Sequence, residues 1–391
     1  MLKARVSVIG LGKAGLPLAT VIADSGINVT GIDINTRRCD LINLGTNPIK
    51  EEPELQELIK KHGGKTLFAT SKYEDAKDCG VFIVIVPLLL DGNNNADLSV
   101  LRNAFNNIAS ILKKGDIVVL ETSVPPMTTE TVVRKWLEEG SKLKLGEFYL
   151  ANSPERIMTG FSISRLREFP KVIGGVDEES GWKAYDVYKL FIPNLYLVSS
   201  AKVAEFIKII EGCYRDSNIA LANELFKISN ELGINFFEAR ELANHRYCNI
   251  HVPSTGTGGH CIPLYPWFLI KEMEKRDKNP NAKLLRISRE INDEMIEFWA
   301  KKIIQDCKKL KKPLPKVKVC VKGISYRKGV KELYQSRNLA LARLLADKGA
   351  DVFVYDELFT NEEIQKLGLK CGNPKDADIL FDPFNLVLSI S

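Results

Sequence analysis

The residue best suited to covalent chemistry is Cys261, which follows the loop Gly-Thr-Gly-Gly-His. Most protein thiols are small buried apolar groups. A glycine-rich loop bounded by Pro263 instead favours presentation of a nucleophile, because it keeps side-chain bulk away from the sulfur. We therefore expect Cys261 to be reactive. His260 is a candidate thiolate partner, although adjacent side chains often point apart.

A second chemical motif lies near the start of the chain. Gly10, Gly12 and Gly15 form a GxGxxG turn between a β-branched run and a segment with helical spacing. The absent side chains would let a pyrophosphate approach the backbone N–H groups and the helix N-terminus. Taken alone, the pattern is also compatible with a purely structural glycine turn.

The end of the next apolar run strengthens the cofactor hypothesis. Asp33 lies 18 residues beyond Gly15, where a carboxylate can bind both ribose hydroxyls of a dinucleotide. This placement predicts NAD, because the carboxylate would repel the extra phosphate of NADP. Arg37 and Arg38 leave NADP open, since arginines here can hold a 2′-phosphate. We assign Arg38 to the cofactor site.

The elements that must position these residues are those of an α/β protein. Apolar runs at 81–87 and 116–121 alternate with helical stretches, as in a parallel sheet covered on both faces. Residues 202–232 have the spacing of one long helix that ends at Gly233. Residues 349–356 repeat the spacing of 26–33, which indicates a second βαβ-like unit.

The predicted fold has two Rossmann-like, doubly wound domains joined by a central helical domain with a long spine helix. We place the NAD-binding domain at residues 1–197, the central helical dimerisation domain at 198–312 and a C-terminal α/β domain at 313–391. A chain of 391 residues is long enough for two or three such cores.

Composition excludes several other classes of protein. The net charge of +6 is spread thinly, and the lysine-rich stretch at 301–318 is more typical of a solvated helix face than of nucleic-acid binding. The sequence shows no signal peptide and no membrane span, so we expect a cytoplasmic protein. Its eight cysteines show no CxxC spacing. We therefore expect neither a disulfide framework nor a metal site.

Several further segments make the chain resemble the nucleotide-sugar dehydrogenase family, which oxidises UDP-glucose, UDP-N-acetylmannosamine or GDP-mannose to the uronic acid. The resemblance covers almost the whole chain and rests on GLGKAGLPLA, INLGTNPIKEEPEL, SPERIMTG, AEFIK with YRDSNIALANEL, GTGGHCIP and GISYRKGVKELYQSR. GGHCIP followed by PWF is similar to the N-acetylhexosamine branch. The resemblance therefore implies UDP-N-acetylmannosamine as the substrate.

The same resemblance implies a mechanism in which two hydrides pass in succession from C6 of the sugar to two molecules of NAD. Cys261 would form a thiohemiacetal and then a thioester, and Lys208 would stabilise negative charge on the C6 oxygen. Glu155 would assist the water that hydrolyses the thioester. Ser123, in place of a family threonine, would contact that water.

Other roles are also implied by the family. The C-terminal domain would bind UDP, and the long helix would form the contact of a homodimer. A helix buried between the chain's own domains is the alternative for that segment. Substrate contacts are expected at six positions: Arg156, Arg215, Asn218, Gly258, Gly259 and His260.

The chain departs from the family at two positions that matter for chemistry. Gly212 stands where the family has an asparagine, one helical turn after Lys208. Tyr265 stands where it has an aspartate, four residues after Cys261, and a phenol is a poor base at neutral pH. Losing one oxyanion donor typically costs about 10²- to 10³-fold in rate. Further departures occur at Leu88, Leu89, Met127 and Tyr334.

Three functional hypotheses follow from the motifs that match the family and the positions that depart from it. The first is an active four-electron dehydrogenase. The second is a catalytically degraded paralogue that binds nucleotide or UDP-sugar and acts by regulation or hetero-oligomerisation. The third is an enzyme that stops at the aldehyde or accepts another nucleotide sugar. They differ in the NADH formed per sugar oxidised, which would be two, none or one.

Overall fold

The computed structural model describes residues 5–157, 160–276 and 281–390. The chain forms two compact units, residues 1–210 and 211–391. The finer division into three domains at 197/198 and 312/313 stays a prediction. The α/β class, with two large, mostly parallel sheets and a long central helix, is confirmed.

The first unit is built around an eight-stranded sheet with the order β10-β9-β8-β7-β4-β1-β2-β3. Strands β1 to β4, β7 and β8 are parallel, and β9 reverses direction against β8. Strands β5 and β6 form a separate short hairpin. The strands are β1 (Val6–Ile9), β2 (Val29–Ile32), β3 (Leu67–Thr70), β4 (Val81–Val84), β5 (Leu89–Leu90), β6 (Ala96–Asp97), β7 (Ile117–Leu120), β8 (Tyr149–Asn152), β9 (Lys171–Gly175) and β10 (Leu195–Leu197).

Central strands of this sheet are buried along their whole length, as β-branched runs predict for a sheet covered on both faces. Helix α1 is buried almost all round and packs into the same core. The helices are α1 (Gly15–Asp24), α2 (Thr36–Asn43), α3 (Pro53–His62), α4 (Ser99–Ile111), α5 (Arg134–Ser141), α6 (Ser162–Glu168) and α7 (Glu178–Tyr188).

Helix α8 (Ala201–Leu232) begins in the first unit and ends in the second. It confirms the predicted helix over 202–232. Gly233 follows with a φ of +70°, the left-handed conformation that ends many helices.

The second unit combines helices with a five-stranded sheet of order β13-β12-β11-β14-β15, in which only β15 is antiparallel. One face of the sheet packs against α11 and α12 around Trp299 and Phe381. The elements are α9 (Phe236–Ala243), α10 (Tyr265–Arg276), α11 (Lys283–Lys309), β11 (Lys318–Lys322), α12 (Arg337–Asp347), β12 (Asp351–Tyr355), α13 (Asn361–Lys366), β13 (Lys370–Cys371), β14 (Ile379–Asp382) and β15 (Val387–Ile390).

The predicted internal repeat is present in the geometry of the two βαβ units. In the first, Leu11 N–H donates to Asp33 Oδ2 at 2.9 Å. In the second, Ile324 N–H donates to Asp356 Oδ2 at 2.8 Å. The second turn differs in that the Phe384 ring packs on its glycine, Gly323. A Cβ on Gly323 would lie 2.2 Å from that ring.

Within the described residues, no helix has the length and apolar character needed to cross a membrane. The cytoplasmic location stays a prediction, since this finding does not test it.

Candidate active site

The three glycines of the first turn have different environments. Gly10 has a φ of +95°, and a Cβ there would lie 2.4 Å from the Ile85 carbonyl oxygen. A Cβ on Gly15 would lie 1.8 Å from the Gly10 carbonyl oxygen. At Gly12, by contrast, a Cβ would meet no described atom within 4 Å. The fold thus requires the first and third glycines, and the second leaves an open approach to backbone N–H groups that fits a pyrophosphate.

Asp33 is buried at the carboxyl end of β2. Its Oδ1 accepts from Asn35 N–H at 2.8 Å, and its Oδ2 accepts from Leu11 N–H. The Arg38 guanidinium also pairs with Oδ2 at 2.8 Å. Arg38 therefore partly neutralises this carboxylate, while Arg37 is exposed. The glycine turn and the carboxylate together form a site into which NAD fits.

Glu155 and Lys208 interact electrostatically within the first unit. Burial raises the pKa of the Glu155 carboxyl, and the positive charges of Lys208 and Lys171 oppose that rise. Glu155 is partly exposed and follows β8, whereas Lys208 is partly exposed on α8. A carboxyl whose pKa is raised toward neutrality can exchange protons with a reacting group.

A buried ion pair that the sequence did not predict lies beside Glu155. Glu121 accepts from Lys171 Nζ at 2.9 Å and from the Tyr188 hydroxyl at 2.6 Å. Both charged side chains are almost fully buried. Burial and the Glu121 charge raise the pKa of Tyr188 well above its ordinary value, so the phenol stays a donor.

Ser123 is partly buried in the segment after β7. Four residues on, Met127 adopts a φ of +77°, which a non-glycine residue rarely does. Its N–H donates to Glu205 Oε2 at 2.6 Å, and Thr129 donates two hydrogen bonds to Oε1. Glu205, on α8, thereby fixes the segment. Burial raises the pKa of Glu205 to about 7.

Cys261 is the one exposed cysteine of the chain's eight, five of which are buried. It lies four residues before the start of α10, and its carbonyl oxygen accepts from Leu264 N–H at 3.1 Å and Tyr265 N–H at 3.2 Å. The thiol is thus on the residue that opens a helical turn, where the positive end of the helix dipole favours a thiolate.

The segment that leads to Cys261 is held by side chains of three helices. Ser254 N–H donates to Asn223 on α8, and the Thr255 hydroxyl donates to Asn338 on α12. The Thr257 hydroxyl donates to Asp216 on α8 at 2.8 Å. These contacts fix residues 254–257 in the interior of the second unit.

Two arginines add to the contacts that hold residues 254–257. Arg289 on α11 donates to Asp216 Oδ1 at 2.7 Å and to the Thr257 hydroxyl. Arg337 on α12 donates to the Thr257 carbonyl oxygen at 2.9 Å, and both arginines also donate to Asp293. Asp216 and Arg289 are almost fully buried, and burial raises the pKa of the Asp216 carboxyl against the effect of Arg289.

Gly258 and Gly259 allow a close approach of the loop to the segment after β11. A Cβ on Gly258 would lie 2.6 Å from the Gln335 carbonyl oxygen, and one on Gly259 would lie 2.7 Å from the Tyr326 ring. The His260 ring stacks on Tyr334, with ring centroids 4.2 Å apart and planes within 5°. Its Nε2 lies 3.4 Å from Glu332 Oε2.

The two departures from the family, Gly212 and Tyr265, touch each other. Tyr265 is buried at the start of α10, and its ring lies against the α8 backbone at Gly212. A Cβ on Gly212 would be 2.1 Å from Tyr265 Cδ2. The space that an asparagine side chain would need at position 212 is therefore filled by the tyrosine ring.

The remaining predicted substrate contacts lie in different environments. Arg215 is exposed on α8. Asn218 uses its amide to donate to the Asn249 carbonyl oxygen and to accept from His251 N–H, so it also holds the backbone at 249–251. Arg156 donates to the Pro170 carbonyl oxygen in the first unit.

Comparison with known proteins bears on these observations. The sequence profiles of the UDP-glucose/GDP-mannose dehydrogenase family match the chain at residues 4–192, the NAD binding domain, and 202–294, the central domain. The chain is similar to UDP-N-acetyl-D-mannosamine dehydrogenase of Methanocaldococcus jannaschii, with 38% identity over 90% of this chain and 79% of that protein.

Solved structures give the same result. The UDP-N-acetylmannosamine dehydrogenase of Pyrococcus horikoshii superposes with a TM-score of 0.88 at 33% identity, covering 97% of this chain and 88% of that one. The corresponding enzyme of Staphylococcus aureus superposes with a TM-score of 0.84 at 31% identity, covering 97% and 88%.

Proposed function

Because this chain belongs to the UDP-glucose/GDP-mannose dehydrogenase family, we propose that it oxidises the C6 alcohol of a UDP-N-acetylhexosamine to the uronic acid. NAD is the cofactor. We propose UDP-N-acetylmannosamine as the substrate, because the relatives at 35–38% identity carry that name. The observation that supports turnover most directly is Cys261, an exposed thiol at the start of a helical turn.

The proposed reaction consumes one water and two NAD per sugar. The glycine turn and Asp33 would hold NAD, which would supply the hydride acceptor for each oxidation. Cys261 adds to the C6 aldehyde of the first oxidation, giving a thiohemiacetal. Loss of a second hydride converts this adduct to a thioester. Attack of water on the thioester carbonyl then releases the carboxylate and returns the thiol.

Other residues supply charge and proton transfer in this scheme. Lys208 stabilises negative charge on the C6 oxygen, and Glu155 takes a proton from the attacking water. The raised pKa of Glu155 supports the second role. Ser123 holds that water by hydrogen bonding.

The substrate's diphosphate and sugar would be held by cationic and small residues. Arg215 is exposed and carries the charge that a diphosphate requires. Gly258, Gly259 and His260 offer backbone groups and an imidazole beside the thiol. Arg156 and Asn218 are partly occupied by the contacts described above, so their part in binding would be indirect.

We also propose that the protein is a homodimer through α8. Six large apolar residues of this helix are exposed, and their positions fall within about 80° of one another on the helix surface. They are Phe206, Ile210, Tyr214, Leu221, Ile228 and Leu232. A second copy of the same face would cover this stripe. Light scattering should show a dimer that Leu221→Glu disrupts and Asn230→Glu, on the other side of α8, does not.

A degraded paralogue is the second candidate function. The observation that favours it is the Tyr265 ring packed on Gly212, which leaves no room for a carboxamide at that place. An enzyme that stops at the aldehyde rests on the same observation, because Tyr265 replaces the aspartate that the resemblance assigns to proton transfer, and a phenol is a poor base at neutral pH.

The test is the yield of NADH from purified protein with NAD and UDP-N-acetylmannosamine. A yield of two per sugar, lost in Cys261→Ala, would support the four-electron reaction. One NADH per sugar would indicate release of the aldehyde. No NADH with this or related UDP-sugars, together with measurable binding of NAD and UDP-sugar by calorimetry, would favour the degraded paralogue.

A further inference from the structure

The contact between helices α8 and α10 next to the cysteine is unusually close. Gly212 is buried within α8, and the ring of Tyr265 occupies the space where a side chain at position 212 would begin. A Cβ at position 212 would lie 2.1 Å from Tyr265 Cδ2, 3.0 Å from Cε2 and 3.1 Å from Cγ. Ordinary contacts of a Cβ begin at 3.4 Å. Any residue other than glycine at position 212 therefore has to displace the ring.

Displacement of Tyr265 would be transmitted to Cys261 through the backbone. Tyr265 is the first residue of α10, and its N–H donates to the Cys261 carbonyl oxygen at 3.2 Å. Leu264 N–H donates to the same oxygen at 3.1 Å. Both hydrogen bonds join residues of the same five-residue turn, from Cys261 to Tyr265. This turn therefore moves as one unit.

The other side of the cysteine is anchored separately. Thr257 is held by Asp216, Arg289 and Arg337, as described above. Between Thr257 and Cys261, Gly259 N–H donates to the Tyr334 carbonyl oxygen at 3.2 Å and the His260 ring stacks on Tyr334, so the chain before the cysteine is held by the segment after β11. The Tyr265 ring on Gly212 is the corresponding anchor on the side after the cysteine.

We propose that Tyr265 is a positioning residue for the Cys261 thiol, and that Gly212 leaves the space on α8 into which the Tyr265 ring packs. The role rests on the shape of the ring and does not require the phenol hydroxyl. This inference deepens the proposed function, since it concerns the same nucleophile. Its test includes measurements that do not depend on turnover.

The experiment is a double-mutant cycle of Gly212→Ala and Tyr265→Ala, with Tyr265→Phe as the conservative variant. Two readouts apply to each protein. The first is the melting temperature. The second is the rate of iodoacetamide alkylation of Cys261, followed by mass spectrometry, with the partly exposed Cys371 as an internal control thiol.

With Tyr265 present, Gly212→Ala should lower the melting temperature and change the alkylation rate of Cys261 while that of Cys371 stays constant. In the Tyr265→Ala background the same substitution should raise the melting temperature, because the clash is gone and alanine is the better helix former. Tyr265→Phe should alkylate at the wild-type rate. Where the wild type turns over, Gly212→Ala should lower kcat about 100-fold, the cost typical of a 1 Å misplacement, with KM for NAD unchanged.

Three results would overturn the proposal. One is that Gly212→Ala changes the melting temperature in the same direction in the wild-type and the Tyr265→Ala backgrounds. Another is Tyr265→Phe behaving as Tyr265→Ala, which would assign the role to the hydroxyl. The third is faster alkylation of all eight thiols together, which would indicate general unfolding. If the wild type shows no turnover, the proposed function fails, and the alkylation and melting results still decide this inference.

Discussion

Asp216 and Arg289 form an ion pair at 2.7 Å inside the second unit, with side-chain exposures of 0% and 2%. The pair joins α8 to α11, and both partners also hydrogen-bond the Thr257 hydroxyl in the loop that precedes Cys261. A charge this deeply buried is tolerated because its partner and further donors, including Asn292, compensate for lost hydration.

Removing one partner should therefore be costly. We expect Asp216→Ala to destabilise the protein by about 3 to 5 kcal/mol, because Arg289 loses its buried counter-charge and keeps only the partly exposed Asp293. Asp293→Ala is the matched control, since Asp293 pairs with the same arginine but its side chain is 44% exposed. Thermal unfolding of both variants measures the difference. Equal losses in the two variants would contradict a special role for the buried pair.

Met127 offers a test of stored backbone strain. It holds a φ of +77° so that its N–H can reach Glu205. A left-handed conformation costs a non-glycine residue about 1 kcal/mol or more. We expect Met127→Gly to be more stable than Met127→Ala by about that amount, because both remove the side chain and only glycine relieves the strain. Denaturant unfolding compares the two, and equal stabilities would show that this strain is negligible.

The parts of the fold that repeat with a regular period could be predicted from the sequence. Alternating apolar runs predicted the parallel sheet, spacings of three and four predicted α8, and the glycine turn predicted an NAD-binding domain. The repeated unit ending at Asp356 was visible because its spacing copies that of the first. In each case the signal lies within about 30 neighbouring residues, which is the span of a βαβ unit.

The contacts that hold the cysteine loop could not be predicted in this way. Asp216 and Arg289 are separated by 73 residues, and Glu121 and Lys171 by 50. Nothing in their local sequence distinguishes them from solvated charges. Gly212 and Tyr265 were each recognised as departures from the family. That the ring fills the place of the missing side chain depends on the packing of α10 on α8, which the spacing of residues does not reveal.

Glu205 should make the stability of the protein depend on pH near neutrality. Burial raises the pKa of its carboxyl from 4.5 to about 7, so the folded state binds the proton more tightly than the unfolded state. The resulting stabilisation is complete below pH 4.5 and is lost as the pH rises through 7. At about 1.4 kcal/mol per pKa unit, the loss is at most about 3.5 kcal/mol.

Melting temperatures between pH 5 and 8 measure this effect. The wild type should fall more steeply with rising pH than Glu205→Gln, which carries no titrating proton. Glu139→Gln removes an exposed carboxyl of the same unit, is the control and should keep the wild-type slope. Parallel curves for the wild type and Glu205→Gln would contradict the raised pKa.

Asp33 should determine the choice of cofactor. We expect its carboxylate to bind the ribose hydroxyls of NAD and to repel a 2′-phosphate. Asp33→Asn should therefore weaken binding of NAD by about tenfold or more, since each lost charged hydrogen bond is worth about 1.5 to 3 kcal/mol. The ratio of the affinity for NAD to the affinity for NADP should fall as well. Calorimetric titration with both cofactors measures the ratio.

Arg38→Ala is the companion variant in that experiment. Because Arg38 pairs with Asp33 at 2.8 Å, its removal should leave the preference for NAD intact or increase it. A switch of preference toward NADP in Arg38→Ala, or an unchanged ratio in Asp33→Asn, would contradict the assignment of Asp33.

The buried pair of Glu121 and Lys171 should tune the carboxyl of Glu155. Burial is the main cause of the raised pKa of Glu155, which Lys208 and Lys171 lower and Glu121 raises further. Lys171→Met removes a positive charge that favours the ionised form, so the pKa of Glu155 should rise. If Glu155 acts as a base, the acidic limb of the kcat profile should then move to higher pH. Glu121→Gln should move it to lower pH, because a negative charge is lost.

Turnover measured from pH 5 to 9 tests these opposite shifts. Lys171→Met also leaves Glu121 buried without its cation, which is expected to cost stability, so the double variant Glu121→Gln/Lys171→Met is included to restore neutrality. Its profile should fall between those of the single variants. Lys183→Met removes an exposed cation of the same unit and should leave the profile unchanged. An unmoved acidic limb in folded Lys171→Met would mean that Glu155 is not the group that titrates during turnover.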